Sequence, residues 1–139
     1  EMCEDVARRA REAEMVGRTI HLSVGYSKEE FGGGFNRSRS IDEPTNATMT
    51  IYKVCEQIFD EFYDRRPVRK LSISITNLEP EYSMQLSLFE ESKWKERKLG
   101  KTMDALRSKY GSTSVLRAVS YTEAGTARKR AGLLGGHKK

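Results

Sequence analysis

The sequence predicts an α+β fold: an antiparallel sheet with helices packed on one face, followed by a C-terminal helix-strand extension. Two pairs of segments carry that expectation. "RTIHLSVGY" (18–26) and "RKLSISITNL" (69–78) alternate apolar with small polar residues, the period of a strand with one buried face. "CEDVARRAREAE" (3–14) and "ATMTIYKVCEQIFDEFY" (47–63) instead repeat apolar residues every three to four positions, the period of a helix. Helices that bury one stripe and strands that bury one face satisfy each other as two layers, leaving the far side of the sheet uncovered.

In chain order, Cys3, Val6, Ala7, Ala10 and Ala13 form the inward stripe of the first helix, with its arginines and glutamates opposite and Gly17 as its stop. Ile20, Leu22 and Val24 then point inward from the first strand, with His21, Ser23 and Gly25 outward. "SKEEFGGG" is a loop whose glycines supply conformational freedom. "FNRSRS" is a short, polar, alternating edge strand. "DEPTN" opens the second helix with Thr45 or Asn46 as its cap. Ile51, Val54, Cys55, Ile58 and Phe62 line that helix, and Arg65-Arg66-Pro67 stops it. The next strand turns Leu71, Ile73 and Ile75 inward and Ser72, Ser74 and Thr76 outward. A helix over 94–110 sets Leu99, Met103, Leu106 and Tyr110 at helical spacing, and "SVLRAVS" reads as a last short strand. The expected divisions are a folded domain over 1–78, an acidic and apolar connector over 79–92, and a basic extension over 93–139.

The 139 residues suffice for one domain with a tail. The first residues are already charged, as in a piece cut from a longer chain. No apolar run approaches the ~20 residues a membrane span needs, and no signal peptide opens the chain, so no membrane partner and a cytoplasmic location are expected. Cys3 and Cys55 fall in helical patterns without metal-ligand spacing and read as buried thiols. The net charge of +5 is uneven: −2 over residues 1–17, +1 over 18–70, −4 over 71–92 and +10 over 93–139. A basic tail behind an acidic connector favours a polyanion, nucleic acid first.

Catalysis has little to stand on. His21 and His137 are the only histidines, and neither has a partner at a triad or metal spacing. "FGGGF" lacks the lysine and hydroxyl of a phosphate-binding loop. The outward residues of the two best strands suit a different task. Small hydroxyl side chains let another surface approach the strands closely, and Arg18, Arg37, Arg39, Arg69 and Lys70 gather at the strand starts and along the edge. Cations neutralise phosphates while short donors fix the register, a combination that fits a nucleic-acid backbone. The same pattern also describes a sheet that simply faces water. The absence of outward aromatics argues against base stacking of single-stranded RNA.

"CEDVARRAR…VGRTIHLSVGYS", "GGFNRSRS" and "RPVRKLSISITNL" together resemble the little finger domain of Y-family translesion DNA polymerases, in the UmuC-like (ImpB/MucB/SamB) group. The tail "LGKTMDALRSKYGSTSVLRAVSYTEAGTARKRAGLLGGHKK" is similar to the end of those polymerases. The resemblance implies a sheet laid across the major groove of primer-template DNA, with helices turned away. It gives Arg69 and Lys70 the template phosphates, Arg37 and Arg39 an edge-strand contact, Arg18 a weaker one, and Ser72 and Ser74 a place on the DNA-facing side. It also implies a catalytic palm, with Mg2+ held by carboxylates, and fingers and thumb, none of which this chain contains. The little finger's usual first strand should precede Cys3. On this reading the fragment has no cofactor, does not polymerise DNA, and works with the remaining domains of its parent polymerase in damage tolerance.

"QLSLF" resembles the bacterial sliding-clamp-binding motif. Leu86, Leu88 and Phe89 would fill an apolar groove, Gln85 would make polar contacts, and Ser87 would be a spacer. A strand docked on the domain's own core would read the same way. Two other classes stay open for the whole chain: a protein–protein interaction module with a basic tail, and an RNA-binding α+β domain.

Overall fold

The computed structural model describes residues 1–27, 32–83, 91–134 and 137–138. They divide into two compact units, Met2–Ser92, and Lys93–Lys139 with Glu1.

The first unit opens with α1 (Met2–Glu12), β1 (Met15–Tyr26) and β2 (Gly34–Thr45). It continues through α2 (Thr48–Phe62) and β3 (Val68–Pro80) to a 3-10 turn at Glu81–Ser83. The three strands form one antiparallel sheet in the order β2-β1-β3. The central strand therefore comes first in the chain, and "FNRSRS" lies on an edge as expected. Alternation decides which side is covered. Ile20, Leu22, Val24 and Tyr26 of β1 join Cys3 and Ala7 of α1 and Ile51, Val54, Cys55 and Ile58 of α2 in one buried cluster. Phe35, Ile41, Leu71, Ile73 and Ile75 flank it from the outer strands. Fully burying a side chain such as Ile20, Leu22, Ile51 or Ile58 contributes about 1.5–3 kcal/mol, so this layer holds the helices to the sheet. Both cysteines are free and buried, as expected.

Three local features depart from the sequence reading. First, Glu4 and Arg11 are buried, although the helical wheel placed the charges of α1 in water. Arg11 donates to the Asn46 carbonyl at 2.9 Å and pairs with Glu4, and the Thr48 hydroxyl donates to Glu4 at 3.2 Å. Two ions can be buried because each is satisfied by a partner on another element. Second, the cap of α2 is Ala47, with no side-chain bond to the helix. The Thr45 hydroxyl accepts from the Ala47 N–H at 3.0 Å, while the Asn46 amide donates to the Met15 carbonyl at 3.1 Å. Third, β2 extends through Pro44 rather than stopping near Ser40. Its pairing with β1 jumps from Thr19↔Ser40 to Gly17↔Thr45, and the intervening residues bulge. An edge strand tolerates a proline at such a place because no partner needs its missing N–H. At the other end of the pair Gly34 is obligatory. Its φ is +150°, and a Cβ there would overlap the Val24 carbonyl.

The second unit begins its helical course in α3 (Glu91–Tyr110), which starts before the boundary between the units. A 3-10 turn at Ala118–Tyr121, α4 (Ala127–Ala131) and the short pair β4 (Leu133–Leu134) and β5 (His137–Lys138) follow. The strand expected at "SVLRAVS" does not form. Its carbonyl at Val115 is taken by the Arg107 side chain at 2.8 Å, and Ser120 N–H closes onto the Arg117 carbonyl at 2.9 Å. With these groups engaged locally, the segment makes a turn where pairing was expected. Of the apolar stripe expected on α3, only Met103 is buried; Leu99, Leu106 and Tyr110 are exposed.

Candidate nucleic-acid interface

The uncovered side of the sheet is built in rungs. Antiparallel register sets Asn36 opposite Ser23 and Ser23 opposite Ser72. The next rung is Ser38, His21 and Ser74, and the one after it Ser40, Thr19 and Thr76. At the other end lie Gly34, Gly25 and Lys70. Alternate residues share a face, so this whole lattice is opposite the core. It is made of short hydroxyl and amide side chains around one imidazole. Ser72, Ser74 and Thr76 of β3 and Asn36, Ser38 and Ser40 of β2 are exposed.

Hydrogen bonds knit the rungs sideways. Thr19 and Ser40 hydroxyls lie 3.1 Å apart, and Asn77 donates to Thr19 at 2.7 Å. Asn77 adopts φ +52°, a left-handed conformation that asparagine tolerates better than most residues. His21 Nε2 and the Thr76 hydroxyl meet at 2.8 Å. Ser38, Ser72 and Ser74 stand on the side away from the core. Rungs two residues apart are about 6.7 Å from one another, and three strands span about 10 Å. That width is comparable to a B-DNA major groove, about 12 Å across.

The candidate cations are not all on this side. Lys70 stands on it, opposite Gly25, and is exposed. Arg69 is exposed and sits in the bulge where pairing skips from Gly25↔Lys70 to Tyr26↔Val68. Arg37 and Arg39 belong to the alternate set of β2, with Phe35 and Ile41, and turn toward α2. The Arg37 guanidinium lies 4.7 Å from the Phe62 ring centre. Arg39 pairs with Glu61 at 2.5 Å and donates to Gln57 at 3.2 Å. Arg18 closes the bulge of β2 by donating to the Asp42 carbonyl, and reaches Glu79 at 3.4 Å. The structure thus unites Lys70, Ser72 and Ser74 on one face and sets Arg18, Arg37 and Arg39 against protein partners.

The sequence reading missed Thr19, Asn36, Ser38 and Ser40. The signal was present: Phe35 and Ile41 bracket "NRSRS", so parity alone assigns 37 and 39 to the core side and 36, 38 and 40 to the open side. The proposed clamp motif, Gln85, Leu86, Ser87, Leu88 and Phe89, lies outside the described residues. Among the described residues no group of three or more His, Cys, Asp or Glu side chains could hold a metal ion. No helix among them is long and apolar enough to cross a membrane.

A solvent-exposed ion pair closes the end of the sheet near the glycine loop. Arg66 contacts the Asp64 carboxylate through two nitrogens, at 2.6 and 2.5 Å. It also donates to the Gly32 carbonyl at 3.1 Å and covers the Tyr26 ring at 4.2 Å. The guanidinium holds the Asp64 carboxyl down to about 2.

Comparison with known proteins agrees with this architecture. Residues 1–88 match the impB/mucB/samB family C-terminal domain. A Bacillus subtilis (strain 168) protein named for UV-damage repair, UvrX, is 59% identical over 99% of this chain and 33% of its own length. "DNA polymerase IV 2" of Halalkalibacterium halodurans is 38% identical over 100% of this chain and 34% of its own length. The protein of the same name in Bacillus subtilis is 37% identical over the same shares. The chain spans about a third of the length of these curated relatives. With its two helices on one side of a three-stranded sheet, it belongs to the impB/mucB/samB family, whose C-terminal domain it matches.

Proposed function

We propose that this domain grips the backbone of primer-template DNA for a translesion polymerase and tethers that polymerase to the sliding clamp. The observation that carries the first half is the rung lattice: three strands present hydroxyls, amides and one imidazole, with Lys70 at its end. A surface without long side chains allows close approach, and short donors meet phosphate oxygens whatever the base sequence. Lys70 and Arg69 supply the phosphate charge. Arg37 and Arg39 act at the rim, from the α2 side of the edge strand, and Arg18 stiffens the bulge that follows them in that strand. The chain's contribution is grip, while chemistry with Mg2+ belongs to the parent's palm.

Support for the tether comes from the sequence "QLSLF" and the acidic residues around it. Apolar anchors in an extended peptide fit a preformed groove, and tethering raises the local concentration of polymerase at the primer end.

Titration of duplex DNA at several salt concentrations tests the grip. The logarithm of affinity should fall linearly with log salt, and Arg69→Ala with Lys70→Ala should reduce the slope by about 1.8, near 0.9 per phosphate. An unchanged slope assigns the wrong face, and preference for single-stranded RNA favours an RNA-binding domain. For the tether, Gln85→Ala with Phe89→Ala should abolish binding to a bacterial clamp; unchanged affinity refutes it.

A further inference from the structure

We propose that the side of α3 carrying Trp94, Lys98, Lys101 and Lys109 is a second nucleic-acid surface, one that takes single strands with Trp94 as a base-stacking platform. Steps of three and four place Trp94, Lys98, Lys101, Ala105 and Lys109 along one side of the helix. All five are exposed, and the indole keeps 51% of its surface in water. The contacts α3 makes within the unit lie on its other side, where Met103 is buried and Arg107 donates to the Val115 carbonyl at 2.8 Å. Packing within the unit therefore does not explain an aromatic ring at the head of a lysine row.

Charge selects the partner class. Residues 93–139 carry a net +10, with Glu96, Asp104 and Glu123 as their only acids. Arg128, Lys129 and Arg130 of α4 add three more exposed cations, on a helix that buries none of its residues. Such a surface attracts a polyanion. The ring then selects among polyanions. Arg97 already stands 6.0 Å from the Trp94 ring centre, and Lys109 stands 5.1 Å from that of Tyr110, so both rings lie within a cationic field. An exposed indole flanked by lysines stacks on an unpaired base while the lysines track the phosphates. A closed duplex offers no base face to it. A single strand is the ligand that uses both features.

This inference is independent of the sheet-face reading, because it concerns the other unit. Trp94 is the sole tryptophan, so its fluorescence reports on this face alone. Titrating the full chain with oligo(dT) should quench that fluorescence in step with the anisotropy of a labelled strand. Lys98→Ala with Lys101→Ala should lower the salt slope by about 1.4, near 0.7 per phosphate for single strands. Trp94→Leu, followed by anisotropy, should weaken oligo(dT) about tenfold and an equal-length duplex far less. Arg69→Ala with Lys70→Ala should leave the quench intact, which separates failure here from failure of the sheet-face proposal. Saturating anisotropy without quenching, or lysine variants that behave as wild type, would overturn the proposal. Quenching by polyglutamate as strong as by oligo(dT) would overturn it too, in favour of an acidic protein partner.

Discussion

His21 and Thr76 meet across β1 and β3 on the uncovered side of the sheet, imidazole nitrogen to hydroxyl oxygen at 2.8 Å. The contact fixes the one ring of the lattice against a neighbour. The hydroxyls around it are left short and accessible.

Crowding that lattice should therefore separate binding from stability. Ser74 lies opposite His21 in register and is exposed. Ser74→Tyr should change folding stability by no more than about 0.5 kcal/mol, the usual range for a surface site. Duplex affinity should fall at least about tenfold, a change of ~1.4 kcal/mol, as the ring holds the backbone off the sheet. Thermal unfolding alongside a duplex titration checks both.

The buried Glu4–Arg11–Thr48 network should behave in the opposite way. Arg11→Ala removes the cation beside a carboxylate whose side chain is only 10% exposed, and should cost about 3–5 kcal/mol. Glu4→Gln keeps the shape without the charge and should cost less. Urea unfolding reads both, as a lowered midpoint at unchanged slope.

Arg39 offers a test of the rim. Its pair with Glu61 is open to solvent, so Arg39→Ala should cost at most about 1 kcal/mol of stability. If the guanidinium also serves DNA, Glu61 competes with phosphate for it. Glu61→Gln should then tighten duplex binding, and adding Arg39→Ala should erase the gain. Equal affinities for wild type and Glu61→Gln would remove Arg39 from the interface.

Much of this was legible in the residues because the physics is periodic. Ile20, Leu22 and Val24 declare their face by alternation, and Ile51, Val54, Cys55 and Ile58 declare theirs by helical spacing. What failed was whatever depends on a distant partner. No wheel drawn on α1 reveals that Arg11 finds the Asn46 carbonyl, 35 residues away, and so can be buried. "SVLRAVS" has the composition of a strand, yet a strand needs a neighbour, and its carbonyl at Val115 met a side chain of α3 instead. Arg37 and Arg39 stand out by charge alone; parity adds that they share a side with Phe35 and Ile41.

Acid should weaken the fold partly through Asp64. Its carboxyl titrates at about 2 in the folded chain, against about 3.9 unfolded. The unfolded state therefore binds the proton first as pH falls. The contribution is fully present above about pH 4 and is lost as pH drops toward 2. Because the pair with Arg66 is solvent-exposed, the effect is small. Asp64→Asn should lower neutral stability slightly and flatten the stability-versus-pH curve in that window by the same small amount, as urea unfolding at stepped pH would show.

Amide chemical shifts of the isotope-labelled chain, recorded during titration with primer-template DNA, reveal which side of the sheet meets the double helix. If it is the lattice side, shifts concentrate on His21, Ser23, Asn36, Ser38, Lys70, Ser72, Ser74 and Thr76, with Ile51, Val54 and Ile58 of α2 unmoved. Shifts that cluster on α1 and α2 while these strand residues stay in place would contradict that placement.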